Sequence, residues 1–192
     1  MMKRPPSFRA LAAFYFMWII SIALALASTK FVSPDHSFEL SVLPGYIVHI
    51  GKDKPSDSYI PVCHPDSVVC ITFPEERFKG TNFGAASVEV AILPDKTSQA
   101  CLNPGKNASS VELINGTRFV HTIDGGAAMS HFIEIDRYLG FSKGKCFELS
   151  AQITSTYFGA FDPGTIKEFT KQDEKRVNAQ LTRIVDSFRA LP

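Results

Sequence analysis

Between residues 38 and 154, several short segments set apolar side chains at every second position, the period of a strand with one buried face. Phe38, Leu40 and Val42 alternate with Glu39 and Ser41. Pro44-Gly45 marks a turn, and residues 46–50 (YIVHI) read as the partner strand. Residues 59–63 and 68–73 are the next candidates, separated by His64-Pro65-Asp66-Ser67; Pro61 confines the first to an edge or a short segment. Residues 74–84 are irregular, with room for one helical turn. In residues 86–93, Val88, Val90 and Ile92 face away from Glu89. Residues 94–110 form a polar connection, long for a compact domain. Residues 117–123 read as a strand, and Asp124-Gly125-Gly126 as a turn or bulge. Residues 130–141 follow as a strand, and residues 142–145 as a hairpin turn. Residues 146–154 then set Phe147, Leu149, Ala151 and Ile153 on one face.

The period changes near the end. Thr170 and Asp173 have the spacing of a capping box, and Val177, Leu181, Ile184, Val185 and Phe188 make an apolar stripe at helical spacing. Strands followed by a terminal helix predict an α+β fold: one domain, an antiparallel sheet packed by a C-terminal amphipathic helix.

The amino terminus departs from both periods. Residues 1–9 are basic (Lys3, Arg4, Arg9), residues 10–27 carry no charge, and the run closes on Ala25-Leu26-Ala27. A basic start, an apolar middle and small residues at the exit describe a signal peptide over residues 1–27, leaving one domain over 28–192. The rival is an uncleaved anchor, which would make a membrane-tethered module. Either way the domain is expected outside the cytoplasm, secreted or periplasmic. No cysteine lies near the exit, which argues against a lipid-anchored form.

Export changes how the cysteines read. Cys63, Cys70, Cys101 and Cys146 are an even set in an exported chain, which predicts two disulfides. Of three connectivities, Cys63–Cys70 with Cys101–Cys146 is favoured, because it would pin the long connection; the other two stay open. Zinc spacing is lacking. Removing Lys3, Arg4 and Arg9 leaves 17 basic against 19 acidic side chains, a net charge of −2. No basic stripe favours nucleic acid.

Three pieces carry a family resemblance. Phe38-Glu39-Leu40 precedes Pro44-Gly45-Tyr46; an aromatic hairpin spans Tyr138 to Cys146-Phe147-Glu148-Leu149; the last helix ends in Ile184-Val185-Asp186-Ser187-Phe188-Arg189. In this order they resemble the PsbP/Mog1-like superfamily. The resemblance implies a compact α/β/α sandwich and a non-enzymatic accessory or binding role. It transfers no site residue.

Candidate chemistry is sparse. Gly140-Phe141-Ser142-Lys143-Gly144 matches the nucleophile elbow, but the elbow needs a helix after its serine, and a strand follows here. His121 and His131, with Asp124 and Glu134 nearby in sequence, would bind a metal only if they converged. Core or surface histidines satisfied by hydrogen bonds are the better expectation. Asp124, Gly125 and Gly126, with His121 and His131, make a candidate ligand loop, because small residues let a ligand approach the backbone. Asn107 and Asn115 begin glycosylation sequons. No catalytic residue, metal or cofactor is assigned. The expected partner is a small molecule or a protein, and a membrane only if the N-terminal segment is retained. A small hydrolase using Ser142, or a His121/His131 site, is the alternative.

Overall fold

The structure, a computed structural model, describes residues 28–51, 63–94, 96–103 and 108–192. The expected signal peptide (1–27), Asn107 and residues 59–62 of one expected strand lie outside the described residues. Strands are β1 (Thr29–Val32), β2 (Phe38–Val42), β3 (Ile47–Ile50), β4 (Val69–Thr72), β5 (Phe83–Leu93), β6 (Ala108–Ile114), β7 (Thr117–Ala128), β8 (His131–Ser142), β9 (Lys145–Thr156) and β10 (Arg189–Ala190). A short α1 (Ser98–Cys101) precedes β6, and α2 (Lys171–Val185) precedes β10.

Seven strands pair antiparallel in the order β3-β4-β5-β9-β8-β7-β6, and β1-β2-β10 form a separate small sheet. The helix and the small sheet cover one face of the large sheet. Val177, Leu181, Ile184 and Val185 of α2 are buried against Val88, Val90, Leu149 and Ala151. Phe38 from β2 and Phe188 beyond the helix complete this layer, both fully buried. Thr170 Oγ1 accepts from the Asp173 N–H, and Asp173 Oδ2 accepts from the Thr170 N–H, closing the capping box read from the sequence.

The α+β expectation is corrected: this is a sheet-dominated fold, with ten strands, the four-residue α1 and a small C-terminal helix among the described residues. The physical reason is strand length. β7, β8 and β9 run 12 residues each, β7 and β9 longer than the alternation suggested, and α2 covers only part of one face. The partner expected for β2 is also corrected. Pro44-Gly45 does not close a hairpin but passes the chain between sheets: β2 pairs with β1 and β10, and β3 pairs with β4. Arg189–Ala190 is too short to be visible as a strand in the sequence.

Asp124-Gly125-Gly126 is a third correction. These residues lie inside β7, opposite Ile135, Glu134 and Ile133 of β8. The turn falls at Met129-Ser130, whose φ angles of 49° and 66° are left-handed. Pairing with β8 continues past the last β6 partner of β7, Thr122, so two glycines are carried in a strand that β8 alone supports.

Both disulfides form, Cys63–Cys70 and Cys101–Cys146, with Cα atoms 5.7 Å apart in each. Cys63 lies outside any strand, so no cross-strand register opposes its bond, and β4 still begins at Val69. Cys101 belongs to α1, which breaks the long polar connection and docks on β8 and β9. Two disulfides suit a chain that folds in an extracytoplasmic compartment.

Candidate functional site

β8 and β9 cross the whole length of the layer under α2, and their two ends differ. Near Gly140 and Phe147 the face is filled by Phe38, Phe119 and Phe188. At the other end, past the first turn of α2, a cavity of about 460 Å³ opens. Its floor is Phe132, Glu134, Ile153 and Ser155; its walls are Tyr157, Phe158 and Phe169; Lys171 and Glu174 stand at the helix end.

Strand alternation places the floor. Glu134 lies opposite Ile153 on one side and Gly125 on the other, so no Cβ crowds the carboxylate from β7. A short 3₁₀ turn, Phe158–Ala160, turns the chain off β9. The Tyr157 N–H donates to the Ser130 carbonyl at 2.6 Å, tying this turn to the β7–β8 tip. Asn82 fixes the wall: Nδ2 donates to the Thr156 carbonyl at 2.7 Å, and Oδ1 accepts from the Phe169 N–H at 2.6 Å. Phe169 itself packs edge-on to Phe78, centroids 4.9 Å apart. Yet Phe132, Tyr157 and Phe158 keep 44%, 57% and 40% exposure. Large apolar groups held wet on ordered elements around a cavity are a binding-site signature.

Charge at this cavity is one-sided. Glu134, Glu168 and Glu174 face it with Lys171. Lys171 Nζ donates to Glu174 Oε2 at 2.8 Å, and this hydrogen bond, with the charges of Glu174 and Glu134, raises the ammonium pKa.

A second cavity, about 410 Å³, lies on the opposite face of the sheet. Ile133 and Ile135 share it with Arg137, Glu148, Glu89 and Gln152. Its charges are engaged. Arg137 Nη1 is 2.9 Å from Asp124 and its Nε 3.1 Å from Glu148, while Glu89 accepts from the His64 N–H at 2.6 Å.

The residues singled out in the sequence scatter. Ser142 ends β8, and Lys143-Gly144, with φ of 51° and 76°, makes a two-residue hairpin turn into β9. No helix follows, so there is no elbow. His121 and His131 do not converge: His121 pairs with Tyr138, seven residues along β8 from His131, roughly 23 Å at strand rise. Asp124 faces Arg137, on the other side of the sheet from His121. Gly126 does line the larger cavity, and the His131 ring nitrogen Nδ1 lies 3.1 Å from Thr156 Oγ1, another lining residue. The sequon at Asn115 is engaged in the fold. Its Nδ2 donates to the carbonyls of Asp186 and Phe188 at 2.8 and 2.9 Å.

Sequence reading missed one row of side chains. Ser110, His121 and Asp136 stand on β6, β7 and β8, with Ser110 Oγ 3.2 Å from His121 Nδ1 and His121 Nε2 2.7 Å from Asp136 Oδ1. Tyr138 stacks on the imidazole, centroids 4.4 Å apart, and its own hydroxyl pKa is raised by burial and by the charges of Asp136, Glu112 and Asp186. The row has a triad's order, but Nδ1 also faces Glu112 Oε1 at 3.3 Å, so its position is shared between the serine and a carboxylate. Neither cavity takes in any of these three residues. The signal for the larger cavity was in the sequence as Tyr157-Phe158-Gly159-Ala160-Phe161, aromatics in a predicted loop where burial could not be assumed.

The sequence matches no protein-family model and no curated protein. Among solved structures, a protein of Bacteroides thetaiotaomicron VPI-5482 superposes with a TM-score of 0.50 at 10% identity, over 85% of this chain and 48% of its own. LpqN of Mycobacterium tuberculosis, involved in cell envelope biogenesis, superposes with a TM-score of 0.40 at 8% identity, over 87% of this chain and 92% of its own. The chain thus spans about half the length of the Bacteroides protein. At such identity the first likeness concerns fold alone, and the second carries no weight for function.

Proposed function

We propose that this is an exported, non-enzymatic binding or accessory domain, secreted or periplasmic, that holds a small ligand between the start of α2 and the far ends of β8 and β9. The observation that carries this is the set of half-exposed aromatics, Phe132, Tyr157 and Phe158, kept around a cavity of about 460 Å³. Burying them would stabilise the chain by ~25 cal/mol per Å², so leaving them wet on a rigid frame reserves that free energy for a ligand. The signal-like residues 1–27 and the two disulfides support export. The likeness in element order to the PsbP/Mog1-like superfamily supports an accessory role.

A fragment screen on the exported protein, read by amide chemical shifts, tests it. Hits should move the amides of Phe132, Tyr157 and Glu134, and Phe132→Ala or Tyr157→Ala should abolish them. Hits confined to other surfaces, or indifferent to both substitutions, would sink the proposal. The Ser110–His121–Asp136 row favours a second reading, a small hydrolase. That reading predicts ester hydrolysis that disappears in Ser110→Ala. Intact mass settles the tether: a start at Ser28 means a released domain, and a retained start means a membrane-anchored one.

A further inference from the structure

We propose that the α2-end cavity takes a small organic cation, an ammonium on a compact apolar body, with its methylene or methyl groups against Phe132, Tyr157 and Phe158 and its charge towards Glu134, Glu168 and Glu174. This ligand class rests on the binding role proposed above.

Four features of the site select a cation over an anion or a neutral ligand. First, its described lining carries three carboxylates and one ammonium, a net charge of −2, with no arginine or histidine among the described lining residues. Second, that ammonium does not fill the cavity. Lys171 is 83% exposed and turns to Glu174 at the rim. The Glu174 hydrogen bond, and then the charges of Glu174 and Glu134, raise the Lys171 ammonium pKa. Third, the helix start already carries acceptors and negative charge of its own. The N-terminal N–H groups of a helix attract anions when free, but here the Asp173 N–H and the Thr170 N–H are both engaged by the capping box. Glu174 adds a negative charge in the same turn. Fourth, the apolar wall is aromatic, and ring faces attract ammonium groups, most strongly alkylated ones that shed water readily.

Asn82 does not compete for the ligand's polar atoms, because its amide is held by Thr156 and Phe169. Glu134 is the carboxylate best placed to reach inward. It rises from the floor of the cavity, flanked by Ile153 and by the side-chain-free Gly125.

The test is an amide chemical-shift titration of the exported protein with choline, with its uncharged isostere 3,3-dimethylbutan-1-ol, and with the anion 3,3-dimethylbutanoate. Choline should shift the Phe132, Glu134 and Tyr157 amides and bind at least roughly tenfold more tightly than the alcohol. Glu134→Gln with Glu168→Gln should erase that preference by weakening choline more than the alcohol, and Tyr157→Ala should abolish the binding of both. All three side chains are partly or fully exposed, and thermal unfolding of each variant confirms that it folds. Nα-acetyllysine amide supplies the other source of the same chemistry. If it shows the same charge preference and binds more tightly than choline, the cation belongs to a lysine side chain of a peptide. Equal binding of choline and the alcohol overturns the cation and leaves the binding role standing. Preference for the butanoate overturns it as well. If none of the four probes shifts these amides, both the cation and the cavity's binding role fall.

Discussion

The two ends of the layer beneath α2 are built from the same kinds of residue and finished differently. At one end Phe38, Phe119, Phe147 and Phe188 are fully buried, with Phe38–Phe188 and Phe147–Phe188 centroids 5.6 and 5.2 Å apart. At the other, Phe132, Tyr157 and Phe158 ring a cavity. The difference is the cover. The small β1-β2-β10 sheet and the residues after α2 close the first end, while at the second, where α2 starts at Lys171, the walls Tyr157, Phe158 and Phe169 leave a cavity. Packing holds the fold at one end and is withheld at the other, which separates stability from the proposed binding along a single pair of strands.

Substitution tests that separation. Phe188→Ala should cause the largest loss, about 3–5 kcal/mol in denaturant unfolding, because its ring touches Phe38, Phe119 and Phe147 and leaves a cavity none of them can close. Equal damage from Phe132→Ala would break the comparison.

The disulfides come next. In the chain-entropy account, opening Cys101–Cys146, with a sequence separation of 45, should cost about 1.5 kcal/mol more than opening Cys63–Cys70, with a separation of 7. Paired Cys→Ser variants in a thermal melt check this, and the reverse order would show that the shorter link carries the fold.

Asn115→Ala comes third, at about 1–2 kcal/mol. It leaves the Asp186 and Phe188 carbonyls without their donor just where the packed end closes.

Asp35 gives a smaller effect with a pH signature. The Lys145 ammonium, 2.7 Å away, holds its carboxyl well below the ordinary value of 3.8, helped by hydrogen bonds from Ser37 and Ser33. A depressed folded pKa stabilises the protein above the unfolded value and less as pH falls through the folded one. Both side chains are about half wet, so screening limits the gain to roughly 1 kcal/mol or less. Wild type and Asp35→Asn should therefore differ at pH 7 and converge as pH falls below about 4; a constant gap would exclude the ion pair as the cause. The smallest effect on stability belongs to Phe132→Ala and Tyr157→Ala. Each should change unfolding by no more than about 0.5–1 kcal/mol, since their side chains are already about half in water, while removing ligand binding.

Local chemistry was legible in the chain. The alternation over Phe147, Leu149, Ala151 and Ile153, the Thr170–Asp173 cap and the Lys143-Gly144 turn each follow from neighbours within a few residues. Where the reading failed, the deciding partner was distant. Asp124-Gly125-Gly126 reads as a turn because glycine permits one, yet twelve residues of β8 hold it straight. Val42 and Tyr46 look like the two sides of a hairpin, yet the end of the chain claims β2 through Arg189 and Ala190. The site was harder still. Phe132 and Ile153 sit in alternating strands that predict burial, and nothing local says that α2 stops short of one and not of the other.

The sequence by itself determined the periods, the cap, the tight turn and the parity of the cysteines, because backbone sterics and short-range hydrogen bonds act between residues close along the chain. Tertiary structure alone decided which cysteines meet, which strands share a sheet, and which aromatics stay wet. Those outcomes depend on where a 15-residue helix comes to rest on strands far from it in sequence.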